Sequence, residues 1–298
     1  MRVRLLIALL FVCFVAMLAS DVHAQIVRPV ATPRGAATLR PTATPGRIPV
    51  TVSAPAGTTK TWYDGNLGTF QLINGTMAAV SDGDLVGYWA DQSGNGSHIV
   101  APGNNTTRAT LQVDEQSSEN AIRFDGTNDV LTLAGIQPLS AANGGWTIFA
   151  VMKVTDHQAS DIPWSVYSDG GGAGELRPAF RTAEADLSVD VSGGRSFNTT
   201  NGGFTYATWF VLTLRHTSGT NVEATQVWFD GDEEIVTGSS ANVAYSIDAT
   251  VTLSLGGVLG DATYQQVDIG EFITYASALS DADRIDTLTY LQQKWGTP

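Results

Sequence analysis

The sequence predicts an all-β domain of two packed antiparallel sheets, followed by one short C-terminal helix. Apolar and β-branched runs of strand length recur along residues 61–298, and clusters of Gly, Asn, Asp and Ser separate them. No helix alternates regularly with these strands, which argues against an α/β fold. Residues 61–298 are numerous enough for one large sandwich rather than two domains.

The first 24 residues have the composition of a secretory signal peptide. Arg2 and Arg4 provide positive charge, residues 5–18 form an apolar run, and a small-residue pattern ends at Ala24, which predicts cleavage before Gln25. The run is shorter than the ~20 apolar residues that span a bilayer, which argues against the alternative of a membrane anchor. We therefore expect an exported protein that is secreted, periplasmic or displayed at the cell surface, with no transmembrane span after cleavage.

Cysteine chemistry is confined to the signal peptide. Cys13 is the only cysteine of the chain and lies within the apolar run. After cleavage no cysteine remains, so disulfides, cysteine metal sites and a cysteine nucleophile are excluded from the mature protein.

Residues 25–60 have the composition of a linker, rich in Pro, Thr, Ala and Gly and without aromatic residues. The linker carries five basic side chains and no acid, whereas residues 61–298 carry nine basic and 28 acidic side chains. A basic tether can contact anionic envelope lipids or polymers, although a solvated spacer explains the same composition. The acidic domain excludes duplex nucleic acid as a partner.

The strand pattern is clearest where apolar and polar residues alternate. Val251, Leu253 and Leu255 share one face of a predicted strand, as expected for a sheet with one packed and one wetter face. Asp230-Gly231 predicts a hairpin turn between residues 227–229 and 235–236. The predicted strands are 85–89, 121–124, 130–133, 147–154, 187–191, 204–214, 225–229, 251–255 and 267–275.

The C-terminal residues predict a helix. Ser280 and Asp283 form a capping pattern at its start. An apolar stripe then follows at three- and four-residue steps, formed by Ile285, Leu288, Leu291 and Trp295.

Three motifs carry a resemblance to a known family. Residues 88–96 read YWADQSGNG, residues 121–131 read AIRFDGTNDVL, and residues 290–296 read YLQQKWG after a GEFITY strand at 270–275. This combination resembles the laminin-G-like, concanavalin A-like lectin–glucanase family, in which two antiparallel sheets form a jelly-roll sandwich. The resemblance implies a module that holds sugars or other surface ligands and only sometimes catalyses a reaction.

Glycoside hydrolysis requires two carboxylates on one face of the sheet. Glu233 and Glu234 are adjacent, so a strand sends them to opposite faces, and Asp268 and Glu271 have an odd spacing that separates them unless a bulge intervenes. His23, His98, His157 and His216 show no paired zinc spacing. These patterns predict that the protein is not an enzyme.

Calcium is the one metal that the resemblance suggests, at loop carboxylates on the rim of the sandwich. Asp91, Asp125 and Asp129 lie in predicted turns, where oxygen ligands can converge. The same residues are typical turn caps, and the structural role is the favoured one. We therefore predict no cofactor, with calcium as the alternative.

A sugar site needs an exposed aromatic platform and planar polar groups. Trp164 follows a proline and precedes a glycine run, and Tyr167, Asp169 and Arg177 lie close to it in sequence. These four residues form the predicted ligand site. The alternative is that Trp164 and Tyr167 fill an edge of the sandwich.

The function that these patterns favour is a non-catalytic, exported module that binds extracellular carbohydrate. A structural or adhesive surface protein that binds another protein is the alternative, and a divergent glycoside hydrolase comes third. The sequence leaves the ligand and the oligomeric state open.

Overall fold

The computed structural model describes residues 59–103, 106–134, 145–155, 162–167, 176–181, 186–191, 195–199, 203–217, 225–238, 252–259 and 263–298. The signal peptide and the linker lie outside these ranges. Within them, two large antiparallel sheets pack face to face and one helix follows, so the predicted all-β sandwich with a C-terminal helix is confirmed.

The elements are bounded as follows: β1 (Thr59–Asp64), β2 (Thr69–Phe70), β3 (Leu85–Val86), β4 (Tyr88–Trp89), β5 (Ile99–Val100), β6 (Ala109–Gln116), β7 (Glu119–Asp125), β8 (Leu131–Ala134), β9 (Gly145–Val154), β10 (Trp164–Tyr167), β11 (Leu176–Arg181), β12 (Asp186–Val191), β13 (Arg195–Thr199), β14 (Trp209–Thr217), β15 (Gln226–Phe229), β16 (Asp232–Glu233), β17 (Val236–Gly238), β18 (Thr252–Leu255), β19 (Gly257–Val258), β20 (Thr263–Tyr264), β21 (Gln266–Tyr275) and α1 (Asp281–Trp295).

Two sheets contain nearly all of these strands. The nine-stranded sheet has the order β16-β15-β14-β9-β21-β7-β6-β3, and β1 also pairs with β21. The ten-stranded sheet has the order β17-β13-β12-β11-β10-β18-β8-β5-β4-β2. Sequence neighbours are often separated in space, so most of the pairing is long-range.

Apolar side chains fill two layers. The larger layer lies between the sheets and includes Trp89, Phe124, Trp164 and Phe272. The smaller layer lies between α1 and the face of the nine-stranded sheet that points away from the sandwich, which we call the outer face. Burial on both faces explains why the nine-stranded sheet contains almost continuous apolar strands such as β9.

The predicted hairpin is confirmed, with a shorter loop than expected. Asp230 and Gly231 have φ values of 51° and 99°, as a two-residue turn between antiparallel strands requires. The returning strand is β16, which pairs Phe229 with Asp232, rather than residues 235–236. The return strand therefore begins at Asp232, directly after the two turn residues.

The helix begins where the capping pattern predicts. Ser280 Oγ accepts a hydrogen bond from Asp283 N, and Gly296 ends the helix in a left-handed conformation. Leu288, Leu291 and Trp295 are buried, but the expectation for Ile285 is wrong, because its side chain is 49% exposed. None of the helical structure in the described ranges is long and apolar enough to cross a membrane.

A β-bulge in β21 changes which side chains share a face. Lys153 of β9 pairs with Asp268 and Met152 with Ile269, but the next residue, Val151, pairs with Glu271, so Gly270 is the extra residue. Asp268 and Glu271 consequently point to the same outer face, which corrects their predicted separation. A side chain at Gly270 would place its Cβ 2.2 Å from the Trp295 ring, so the bulge needs glycine.

Candidate ligand-binding cleft

One row of side chains crosses the outer face beyond the end of α1. Trp209 of β14 pairs with Lys153 of β9, Lys153 pairs with Asp268 of β21, and Asp268 pairs with Arg123 of β7. We call these four residues the cleft floor. Because the register of four strands sets it, the floor is rigid.

Ion pairs connect the charged members of the cleft floor. Lys153 Nζ lies 2.8 Å from Asp268 Oδ2, and Arg123 Nε lies 2.6 Å from Asp268 Oδ1. Burial lowers the pKa of Lys153, but hydrogen bonds to Asp268 and Glu115 outweigh it and raise the pKa above its ordinary value. Both cations also contact Glu115, so each bridges two carboxylates.

Glu115 reaches the floor because the β6–β7 hairpin is irregular. The register shifts between Gln112 and Gln116, and Asp114, Ser117 and Ser118 all have positive φ values. Such conformations sharpen the bend of the hairpin tip. The tip is held by Ser117 Oγ, which donates to the Trp295 carbonyl at 3.0 Å.

An open cleft of about 580 Å³, within the ~300–1,000 Å³ typical of ligand pockets, adjoins the floor at Trp209. Trp209 lines the cleft, whereas Lys153, Asp268 and Arg123 lie next to it and are not among the lining residues. The walls of the cleft are formed by the loop that precedes β14, the β6–β7 tip, the β15–β16 turn and Pro298. The residues that line it include Gln116, Thr205, Thr208, Trp209 and Asp230.

Trp209 is the aromatic element of this cleft. Its ring stacks on Trp295 with centroids 5.4 Å apart and an interplanar angle of 27°. Lys153 Nζ lies 5.4 Å from the Trp209 ring centroid, a cation–π geometry. Only 9% of Trp209 is exposed, so the cleft reaches a limited part of the ring.

Asp230 is the acid of the cleft wall. Its Oδ1 accepts a hydrogen bond from Val211 N at 2.8 Å, and its carbonyl accepts one from Gln292 Nε2 at 2.9 Å. Burial raises the pKa of Asp230 to about 6, and the neighbouring charge of Asp232 adds to the rise. A perturbed acid in a concave site is a common mark of a functional position.

The structure buries Trp164, the aromatic platform of the predicted sugar site. Trp164 is fully buried between the sheets, edge-on to Phe272 with ring centroids 5.4 Å apart, so the expectation of an exposed platform is wrong. The sequence analysis allowed the alternative that Trp164 packs inside the sandwich, and Trp164 does so as part of β10. Pro163 and the nearby glycines obscured this four-residue strand.

Tyr167 and Arg177 lie together on the ten-stranded sheet, both partly exposed. The guanidinium carbon of Arg177 is 4.8 Å from the Tyr167 ring centroid. Asp169 lies outside the described residues. A role for Tyr167 and Arg177 in ligand binding stays a prediction.

The predicted turn caps are confirmed. Asp91 accepts hydrogen bonds from Trp62 N, Ser93 N, Ser93 Oγ and Ser97 N, so protein donors occupy both of its oxygens. Asp125 Oδ1 accepts from Thr127 N at 2.7 Å across the Gly126 turn. The described residues contain no cluster of three or more His, Cys, Asp or Glu side chains arranged to hold a metal ion.

The cleft residues were missed by sequence reasoning for identifiable reasons. Trp209 begins an apolar strand, a position typical of the core, and most of its surface is indeed buried. Lys153, Arg123 and Glu115 are isolated charges in three different strands, and only their register reveals the network. The odd spacing of Asp268 and Glu271 was the one available signal.

No protein-family model matches the chain, and no curated protein matches its sequence. Solved structures do match. The binding domain of Paraclostridial Mosquitocidal Protein 1 is 15% identical with a TM-score of 0.51, over 70% of this chain and 52% of that one. The receptor binding domain of botulinum neurotoxin D is 11% identical with a TM-score of 0.51, over 79% of this chain and 53% of that one.

The chain thus spans about half the length of the toxin domains it matches. At this identity the likeness shows the fold alone. It supports an all-β sandwich as the general architecture, which agrees with the packed sheets described above.

Proposed function

We propose that this domain is an exported, non-catalytic module that binds carbohydrate in the cleft beside Trp209. The observation that carries the proposal is an indole edge and adjacent polar side chains in an open cleft of about 580 Å³. An aromatic surface complements the apolar face of a sugar, and the oxygen and nitrogen atoms of Thr208, Gln116 and Asp230 suit its hydroxyl groups.

The acid pairs of the outer face support a binding role rather than hydrolysis. Lys153 and Arg123 bridge Glu115 and Asp268, and Lys294 bridges Asp64 and Glu271. The cations occupy the space between the acids that a scissile bond would need. The two solved structures described above are named as binding domains, which agrees with this role. The signal-peptide pattern supports export.

A glycan array with a cleft-blocking variant tests the proposal. Thr205 is exposed at the cleft, so Thr205→Arg fills the space with a long side chain and should not disturb folding. We expect glycan affinity to fall at least about tenfold, which corresponds to 1.4 kcal/mol. Thr127→Arg is the matched control, because Thr127 is an exposed threonine that does not line the cleft, and this variant should bind like the unaltered protein.

Failure to bind any glycan would contradict the proposal, as would equal binding by the two variants. Release of reducing ends from an oligosaccharide by the unaltered protein would contradict the non-catalytic assignment and favour a glycoside hydrolase.

An exposed apolar loop favours a protein-binding surface as the second candidate. Leu72, Ile73, Met77 and Val80 are 37%, 44%, 62% and 73% exposed and lie close together in sequence. Clusters of this kind mark interaction surfaces more often than isolated apolar residues do. A copurifying protein that Met77→Ser and Val80→Ser release, with glycans inert, would favour this adhesive role over carbohydrate binding.

A further inference from the structure

Three residues from the first strand, the last strand and the helix meet beneath the C-terminal end of α1. Lys294 Nζ lies 2.7 Å from Asp64 Oδ2 and 2.8 Å from Glu271 Oε2. We call these three residues the helix anchor. An amine, a carboxyl group and a second acid within hydrogen-bond distance have the composition of a reactive site as well as of an ion pair.

The helix anchor is almost dry. The side chains of Lys294, Asp64 and Glu271 are 8%, 2% and 0% exposed. Aromatic residues surround them, and three donate to Glu271: Trp62 Nε1 at 2.7 Å, Tyr290 Oη at 2.7 Å and Trp295 Nε1 at 3.0 Å. A site from which water is excluded disfavours separated charges and favours a neutral product.

The two oxygens of Asp64 have different surroundings. Oδ1 accepts hydrogen bonds from Asn66 N and Asn66 Nδ2, both at 3.0 Å, whereas Oδ2 has Lys294 Nζ as its hydrogen-bond partner. Two donors on one oxygen at this distance can stabilise the negative charge of a tetrahedral intermediate. Asn66 is itself held by Glu119, which accepts from Nδ2 at 2.6 Å. Asp64 is therefore the activated carboxyl group, and all of the hydrogen bonds to Glu271 fix that acid in place.

We propose that Lys294 and Asp64 condense into an intramolecular amide that joins α1 covalently to β1. Lys294 Nζ passes a proton to Glu271 and attacks Cγ of Asp64. Glu271 returns this proton to Oδ2 and then relays a second proton to it from the attacking nitrogen, and the Cγ–Oδ2 bond breaks as water leaves. Of the three ammonium protons, one stays on the amide nitrogen and two leave with Oδ2 as water, so the reaction consumes one ammonium and one carboxylate and needs no other reactant.

Proximity lowers the activation barrier of the step. The fold holds the amine and the carboxyl group in contact, which replaces a bimolecular encounter by an effectively unimolecular one. The ion pair is the reactant: burial lowers the pKa of Lys294, but attraction to Glu271 and Asp64 outweighs it and raises that pKa. Burial raises the pKa of Glu271, so this acid can hold the transferred proton. A single turnover requires only that the protein remain folded for long enough.

Peptide mapping of the intact, folded chain by mass spectrometry tests the proposal. We expect one linked species containing the Asp64 and Lys294 peptides, lighter by one water than their sum, and little of either peptide alone. Asp64 and Lys294 both follow the predicted cleavage site before Gln25, so removal of the signal peptide does not affect the mapping. A folded protein that yields only the unlinked peptides would overturn the proposal, and a link from Lys294 to Glu271 would overturn the assignment of Asp64.

Variants separate the reaction from the fold. Lys294→Arg keeps the charge but should abolish the linked species. Glu271→Gln keeps the size of the side chain and should also leave the peptides unlinked, with near-UV circular dichroism confirming the fold. A linked species in Glu271→Gln would overturn the role of Glu271. Lys153→Arg is the matched control, because Lys153 also bridges two carboxylates but is more exposed, and the link should persist there.

Discussion

The helix anchor and the cleft floor are built from the same groups, and their surroundings make them different. In each, a lysine bridges two carboxylates, and one of those carboxylates comes from β21. Asp268 and Glu271 stand on the same face because of the bulge at Gly270. The helix covers Glu271 and its partners, whereas the partners of Asp268 reach the surface, with Arg123 35% exposed.

The comparison shows that solvent exposure, rather than residue type, decides what a charged cluster can do. A sealed cluster fixes the position of α1 and exposes nothing to a ligand. An open cluster beside Trp209 can exchange protein contacts for ligand contacts. The two regions should therefore respond differently to the same substitution.

The largest effect is expected from Lys294→Met. Asp64 and Glu271 would stay buried without a counter-charge, which costs about 3–5 kcal/mol when one partner of a buried ion pair is removed, and the proposed amide to Asp64 could not form. The free energy of unfolding in urea measures the change. A loss below about 1 kcal/mol would show that the anchor tolerates unpaired acids and would remove the contrast with the cleft.

Gly270→Ala should have the next largest effect. The added Cβ would meet the Trp295 ring at 2.2 Å, so the helix or the bulge must shift. Overpacking of this kind costs about 1–3 kcal/mol. Chemical denaturation gives the stability, and the near-UV circular dichroism of tryptophan reports the shift. An unchanged spectrum with unchanged stability would contradict the close packing of bulge and helix.

Lys153→Met tests the open cluster with the same substitution as Lys294→Met. Lys153 is 18% exposed, and pairs near the surface contribute about 1 kcal/mol or less. We expect a small loss of stability, together with a roughly two- to fivefold loss of glycan affinity because the cation–π contact with Trp209 disappears. A destabilisation as large as that of Lys294→Met would show that the two regions do not differ.

Asp230→Asn should leave the ion pairs of both regions intact and show its effect as a change in the pH dependence of stability. The pKa of Asp230 is about 6 in the folded protein and ~3.9 in an unfolded chain. Between these values the folded state holds a proton that the unfolded state has lost, so stability falls as the pH rises from about 4 to about 6.

The asparagine variant has no carboxyl group to titrate at this position, so it lacks this pH-dependent contribution to stability. It keeps the oxygen that accepts from Val211 N. Its stability relative to the unaltered protein should therefore rise over that pH interval. His216, whose burial lowers its pKa to about 4, contributes with the opposite sign but equally in both proteins. Parallel pH profiles from urea unfolding would contradict the prediction.

Local patterns were sufficient for much of the fold. Alternation and β-branched residues identified β9, β15, β18 and β21 because each of these strands packs at least one apolar face. Asp230-Gly231 predicted its turn because few other residues tolerate both positive φ values. The helix start followed from Ser280.

The cleft could not be predicted in the same way. Its floor depends on which strands are neighbours, and β7, β9, β14 and β21 are far apart in sequence. The bulge depends on Trp295, which packs against Gly270 from another element. Trp164 was misleading because an isolated tryptophan beside a proline and glycines resembles an exposed loop until its strand partners are known.

The union of Asp64 with Lys294 spans 230 positions of the sequence. A polypeptide truncated before Lys294 would present two acids to a dry interior with nothing to neutralise them, so docking of the helix depends on its last turn. Such a truncated product should stay open and be cut by proteases that spare the closed form.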